Sequence, residues 1–496
     1  MHQELLASPT TVVDNMELAP SPHIATYLRV ETTCRIFDKI HSRPSLNSIP
    51  TLVSETMMKS IHSAVLTLFL LSFGSPSFAA ESNWPQWRGP AGSGITSTSG
   101  VVTEWGPDQN VKWRIELPEA GNSTPIVWDD RVFFTQPLSE SNERSLFCVD
   151  RATGREFWRR GVTYDQPEAS HKTNPYCSAS PVTDGKHVVA WFGSAGLVCW
   201  DVDGNELWRR DLGKQEHMWG YGTSPILHDD LCILLFGPGN NEFLIAVDKA
   251  TGETRWKVDA LDDEAEHELS GPENDGNAND FGSNKPRSER LRGAWNTPIL
   301  IEVDGHFELV AALSRRVSAF DPATGERLWT CGGTGPLAYA SPMESDGVVV
   351  ALGGYGGASL AVRAGGRGDV TKTHRVWHKS KDQGWLGTGV VHHGLIYICN
   401  MNGVLSCIDV QTGDQLWKAR TEGGGTWSSI TQTADGRMFL LTKTGTTTVF
   451  EPDSTKLNKI AENKLNENTN ASIVAAGTDI LIRTDDALWC ISDEQR

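Results

Sequence analysis

Six aromatic residues stand one to four positions ahead of a Ser or Thr that opens an apolar stretch. Trp219 and Tyr221 precede Thr223, Trp295 precedes Thr297, Tyr339 precedes Ser341, Trp385 precedes Thr388, and Trp427 precedes Ser428. Indole and phenol faces of this kind can stack on a sugar, a quinone or a partner's side chain, while the N–H or O–H fixes orientation. The alternative is that each merely covers the core beneath it. Binding requires the six to converge, and their local spacing cannot do that. The elements that carry them must.

Other chemistries lack their residues. There is no HExxH, no GxSxG elbow, no CxxC or CxxCH, and no pair of adjacent cysteines. GGYGG and EGGGT lie between strand-like runs and not ahead of a helix, so they cradle no phosphate. His392 and His393 have no metal-ligand spacing around them. No catalytic residue and no metal ligand is assigned. With 44 Lys+Arg against 62 Asp+Glu, the formal net charge is -18, and no basic patch interrupts it. Nucleic acid is therefore not an expected partner.

The positioning elements announce themselves by repetition. LFCVDRATGREFW, LVCWDVDGNELW, LIAVDKATGETRW, SAFDPATGERLW and LSCIDVQTGDQLW end at Trp158, Trp208, Trp256, Trp329 and Trp417. In each copy a Gly precedes the Trp by four residues: Gly154, Gly204, Gly252, Gly325 and Gly413. Asp can bond turn amides and Gly can take positive φ, so each phrase predicts a β-hairpin with Trp as a large plug on its second strand. Two further strands precede each hairpin, the first opening on a small hydroxyl residue and usually Pro, as in STPIVWDD, TSPILHDD and ASPMESDG.

Four antiparallel strands per unit, at a period of about 48 residues, cannot bury both faces alone. The units must stack and close into a β-propeller. Trp377 marks a degenerate fifth unit, the seventh (TTVFEPDSTKLNKI) has lost its Trp, and the chain ends on three strands. The missing strand is supplied by VKWRIEL around Trp113, which completes an eighth blade and closes the ring. An all-β, eight-bladed propeller is the predicted fold, with seven blades the alternative. The residue three positions into each hairpin is Cys148, Cys199, Ala246, Ala319, Ala361, Cys407, Val449 or Cys490. That position asks for a small buried group, which a free thiol satisfies, so a disulfide framework is not expected.

From Met58 the chain reads MKSIHSAVLTLFLLSFGSPSFAAESNW: one Lys, an apolar run, then small residues at Ser77 and Ala79. Residues 58–80 are read as a cleaved secretory signal peptide, too short to remain as a membrane anchor. Residues 1–57 are then either untranslated, with the start near Met57 or Met58, or a disordered extension. Residues 81–109 form a lead segment and 110–496 the propeller. A soluble, periplasmic or secreted monomer is expected.

The AxDxxTGxxxW repeats, in a chain whose exported part opens with NWPQWRGP, resemble the PQQ-like propeller family over residues 83–496. That superfamily includes quinoprotein alcohol dehydrogenases, BamB-type assembly factors and secreted bacterial proteins. The dehydrogenase branch implies pyrroloquinoline quinone held between an aromatic and a disulfide of adjacent cysteines, with calcium on carboxylate and amide ligands and an Asp as base. The sequence offers neither the cysteine pair nor such a constellation, so no cofactor is expected. The BamB branch implies a non-enzymatic scaffold that meets a protein partner, or a small molecule, at the propeller mouth. This chain lacks the lipid-attachment Cys of that branch.

One segment breaks the period. Between Trp256 and Trp329 the chain inserts DDEAEHELSGPENDGNANDFGSNKPRSERLRG, within 260–295, acidic and then basic. ENDGNAND lacks the Gly and distal Glu of a calcium loop. A polar, Gly-rich insertion of this kind is expected to be solvated, with a lid or docking loop over the mouth as the functional alternative. Deleting 265–285 should leave the melting temperature nearly unchanged in a thermal scan, and a large loss would mean that the loop is packed.

Overall fold

The repeating phrases become eight four-stranded antiparallel sheets arranged as blades. The computed structural model describes residues 82–239, 241–260, 292–355 and 357–493. Residues 1–81, where the extension and the signal peptide are expected, and residues 261–291 of the insertion lie outside the described residues. Blade one runs from the innermost strand outward as Ile126–Trp128, Arg131–Leu138, Glu143–Asp150 and Glu156–Thr163. Six more blades repeat that order over 182–210, 226–259, 299–332, 343–379, 390–420 and 431–464. Blade eight is composite. Val111–Glu116 is its outer strand and pairs with Ala487–Ile491, so that Trp113 faces Cys490. Among the described residues no helix is long and apolar enough to cross a membrane.

Each hairpin is built as its sequence dictates. Asp150 Oδ1 accepts the Thr153 N–H (2.7 Å) and hydroxyl (2.8 Å), and the Gly154 N–H donates to the Asp150 carbonyl (2.8 Å). Asp248, Asp321 and Asp409 accept from Thr251, Thr324 and Thr412 in the same way. The small-residue register also holds. Cys148, Cys199, Ala246, Ala319, Ala361 and Cys407 each pair with the Trp of their own hairpin, and Val449 pairs with Ala461 where the Trp is missing. The eight cysteines among the described residues are free and buried, and burial pushes thiols such as Cys148 and Cys199 up to about 12.

Gly and Trp serve each other across blades and not within one. A Cβ on Gly154 would lie 2.9 Å from the Trp113 ring, one on Gly204 2.8 Å from Trp158, and one on Gly252 2.7 Å from Trp208. Gly325 meets Trp256 at 2.7 Å and Gly413 meets Trp377 at 2.8 Å in the same sense. Each of these five indoles therefore lies on the turn of the next blade, where its Nε1–H donates to a turn carbonyl. Trp113 bonds Arg151 (2.9 Å), Trp158 bonds Val202 (3.0 Å) and Trp208 bonds Lys249 (2.9 Å).

The step from blade four to blade five departs from this pattern. The fifth hairpin is long, and its Gly368–Asp369 strand runs back to pair in parallel with Arg327–Gly332. With no turn Gly beneath it, Trp329 donates to the buried carboxylate of Glu308 (2.7 Å). The missing Trp of blade seven is offset from outside. Trp105 of the lead segment stacks on Phe439 at 6.2 Å, and its backbone N–H donates to Asn463 Oδ1 (2.9 Å).

Gly252 and Gly305 separate backbone strain from indole contact. Both take left-handed φ (+73° and +80°), yet a Cβ on Gly305 would meet nothing within 4 Å. Gly305→Ala should cost about 1–2 kcal/mol, the left-handed penalty alone. Gly252→Ala should cost clearly more in urea denaturation, and equal costs would show that Trp208 can shift without loss.

Candidate functional site

The innermost strands all begin at one end of the ring, and a hydroxyl residue stands two positions ahead of each. There the hydroxyls meet. Thr124 N–H donates to Ser180 Oγ (2.9 Å), Ser180 to Ser224 (3.0 Å), Ser224 to Thr297 (3.0 Å) and Thr297 to Ser341 (3.0 Å). Ser341 continues to Thr388 (3.0 Å), Thr388 to Ser429 (3.0 Å), Ser429 to Ser472 (2.9 Å), and Ser472 back to Thr124 (3.0 Å). This is a closed circuit with one buried hydroxyl per blade. Six of these residues line a central cavity of about 490 Å³, within the usual size range of small-molecule sites.

The floor of the cavity comes from the lead segment. Trp84 exchanges backbone hydrogen bonds with Val127 of blade one, and the Pro85 carbonyl accepts from Thr183 of blade two (2.8 Å). Gln432 of blade seven bonds to Gly94 and Thr96 at the far side. Buried Arg88 donates to the carbonyls of Thr388 (3.3 Å) and Gly389 (2.5 Å) in blade six, and burial lowers its guanidinium to about 9. The phrase NWPQWRGP thus crosses the axis. Trp87, held between these anchors, lines both the cavity above and a smaller groove against blades three and four below.

The walls of the cavity differ in chemistry. On the side of blades three to five, Trp295 stacks on Tyr339 (4.8 Å, 24°), Trp219 lies 6.0 Å from both Trp295 and Tyr355, and Tyr339 meets Tyr355 edge-on at 5.6 Å. Trp295 is locked by a bond from Nε1 to the Gly220 carbonyl (3.0 Å). His217, wedged 4.8 Å from Trp295, is lowered by burial to about 4 and stays neutral. Burial also pushes the Tyr339 and Tyr355 phenols upward. Trp427 joins from blade seven, with the Lys443 ammonium 4.2 Å over its ring.

Opposite lie Asn122, Asn174, Asn470, Thr173 and His171. The loop that carries His171, Thr173 and Asn174 is braced by the buried Arg144–Glu168 ion pair, with Tyr176 against the guanidinium at 4.3 Å and Glu168 accepting the Ser194 N–H (2.6 Å). The amide nitrogens are already used. Asn122 and Asn470 donate to the Thr173 carbonyl (3.0 and 3.3 Å), and Asn174 donates to that of Trp219 (2.7 Å).

Of the six aromatics singled out by sequence, Trp219, Trp295, Tyr339 and Trp427 line the cavity together. Tyr221 and Trp385 do not. Both are buried in the core, Tyr221 beside Trp191 at 4.7 Å and Trp385 in the cluster around Met343 and Ile398. Trp87, Tyr355 and the three asparagines escaped the sequence reading. NWPQWRGP, with two Trp outside any blade repeat, was the available signal for Trp87.

The described lining contains no Asp, Glu, Lys, Arg or Cys, and no group of His, Cys, Asp and Glu among the described residues has the geometry to hold a metal. Pyrroloquinoline quinone carries three carboxylates, and its calcium needs carboxylate ligands. These residues do not fit that cofactor.

A family model described as outer membrane protein assembly factor BamB matches residues 142–419 and 313–488. No curated protein matches the chain. Among solved structures, quinohemoprotein alcohol dehydrogenase from Comamonas testosteroni superposes with a TM-score of 0.61 at 12% identity, over 84% of this chain and 81% of that one. BamB from Moraxella catarrhalis gives a TM-score of 0.51 at 12% identity, over 78% of this chain and 98% of that one. At such identity the likeness is one of fold. The fold is shared by an enzyme and a scaffold, and with the family model spanning more than half of its length, the chain belongs to the PQQ-like β-propeller family.

Proposed function

We propose that this chain is a non-enzymatic binding module of the cell envelope, exported as a monomer, that engages a small molecule or a partner's side chain in the mouth cavity. One observation carries the reading: a cavity of ligand size whose described lining is aromatic, amide and hydroxyl, without a charged side chain. Such a surface can orient and desolvate a neutral group. It offers no carboxylate to take an alcohol proton and no cation to polarise a carbonyl. The scaffold role resembles that of the BamB named by the family model and one structural neighbour. A quinoprotein dehydrogenase is the competing role on the same fold.

Calorimetric titration of the protein starting at Glu81 with pyrroloquinoline quinone, with and without calcium, decides between the two. No calcium-dependent heat and no dye reduction with an alcohol and sugar panel are expected. Tight calcium-dependent binding with turnover would overturn the proposal. In capture from envelope extract, Trp219→Ala should lose the retained partner while keeping the wild-type melting temperature.

A further inference from the structure

The two walls of the cavity ask for a ligand with an apolar face and a hydroxylated edge. We infer that the mouth binds a neutral saccharide, a proposal that rests on reading the mouth as the binding site. The wall of Trp219, Trp295, Tyr339 and Tyr355 presents ring faces and edges, which suit the C–H face of a pyranose. The asparagine wall opposite, whose amide nitrogens already donate to backbone carbonyls, leaves amide oxygens as acceptors for sugar hydroxyls.

The described lining is neutral as well as aromatic: apart from the rings its side chains are amides, hydroxyls, His171 and Leu386. Charge narrows the class further. An anionic ligand, whether a nucleotide, a uronic acid or a tricarboxylate, would be buried without a counter-charge, at a cost that its hydrogen bonds do not offset. At about 490 Å³ the cavity suits a short saccharide or the end of a chain.

The test is calorimetry on the protein from Glu81 with cellobiose, maltose, lactose, trehalose and diacetylchitobiose at millimolar concentration, with glucuronic acid as the charged comparison. Menadione, a neutral quinone without hydroxyls, is followed separately by tryptophan quenching. At least one neutral disaccharide should bind, with an affinity indifferent to salt. Trp219→Ala and Tyr355→Ala, checked for unchanged melting temperature, should each weaken it roughly three- to tenfold, the effect of one lost ring contact. If menadione binds and no saccharide does, the saccharide proposal falls while the mouth remains a binding site. If neither binds, the mouth reading falls with it. Glucuronic acid binding as tightly as the neutral sugars would overturn the charge argument.

Discussion

At the axis of a propeller the innermost strand of every blade has one unpaired edge, and its first N–H points where no further strand can lie. In this protein each such N–H is taken by the hydroxyl of the next blade, at 2.9 to 3.0 Å, around a complete circuit. The circuit satisfies eight buried donors with side chains small enough to converge, which Ser and Thr are and Asn is not. Because each link bridges two blades, a blade that lacked its hydroxyl would leave the buried N–H of its neighbour without an acceptor. The cavity exists because the hydroxyls hold its waist open at a fixed diameter.

The outer rim obeys a different rule. There the blades diverge, and a large flat group is needed to fill the widening gap. An indole lying on the glycine turn of the following blade does so, and one indole bond to a turn carbonyl fixes its tilt. Small polar links inside and large apolar links outside together give the wedge its angle. Where the rule lapses, a substitute is found. Glu308 accepts from Trp329 at the fifth hairpin, and Trp105 with Asn463 braces the seventh blade.

The eight blades and the closing strand around Trp113 were legible because every blade writes the same contacts into the chain. The partnership of Gly and Trp was half legible. Their spacing of four placed both on one hairpin but not the contact between blades, in which Gly204 serves Trp158 and Gly252 serves Trp208 of the preceding blade. The hydroxyls were visible as strand openers, but nothing local reveals that they meet. The mouth was harder still. Its residues sit on irregular loops whose direction is set by packing, so Trp385 and Tyr221 turned inward while Trp219 and Trp427, at similar distances from a Ser or Thr, lined the cavity. Trp87 and Tyr355 belong to no repeat and carried no periodic signal.

The pairing of Val111–Glu116 with Ala487–Ile491 has a kinetic side. Lys112 and Asp479, which meet at 3.1 Å across this seam, are 367 residues apart in the chain. Loop closure over such a distance comes late, after local hairpins have formed. During synthesis the first strand must therefore wait, unpaired, until the last strands emerge. A chain cut short before residue 474 would keep that edge open, and open edges invite proteolysis or association with other chains. Ring closure thus acts as an internal check that only full-length molecules pass.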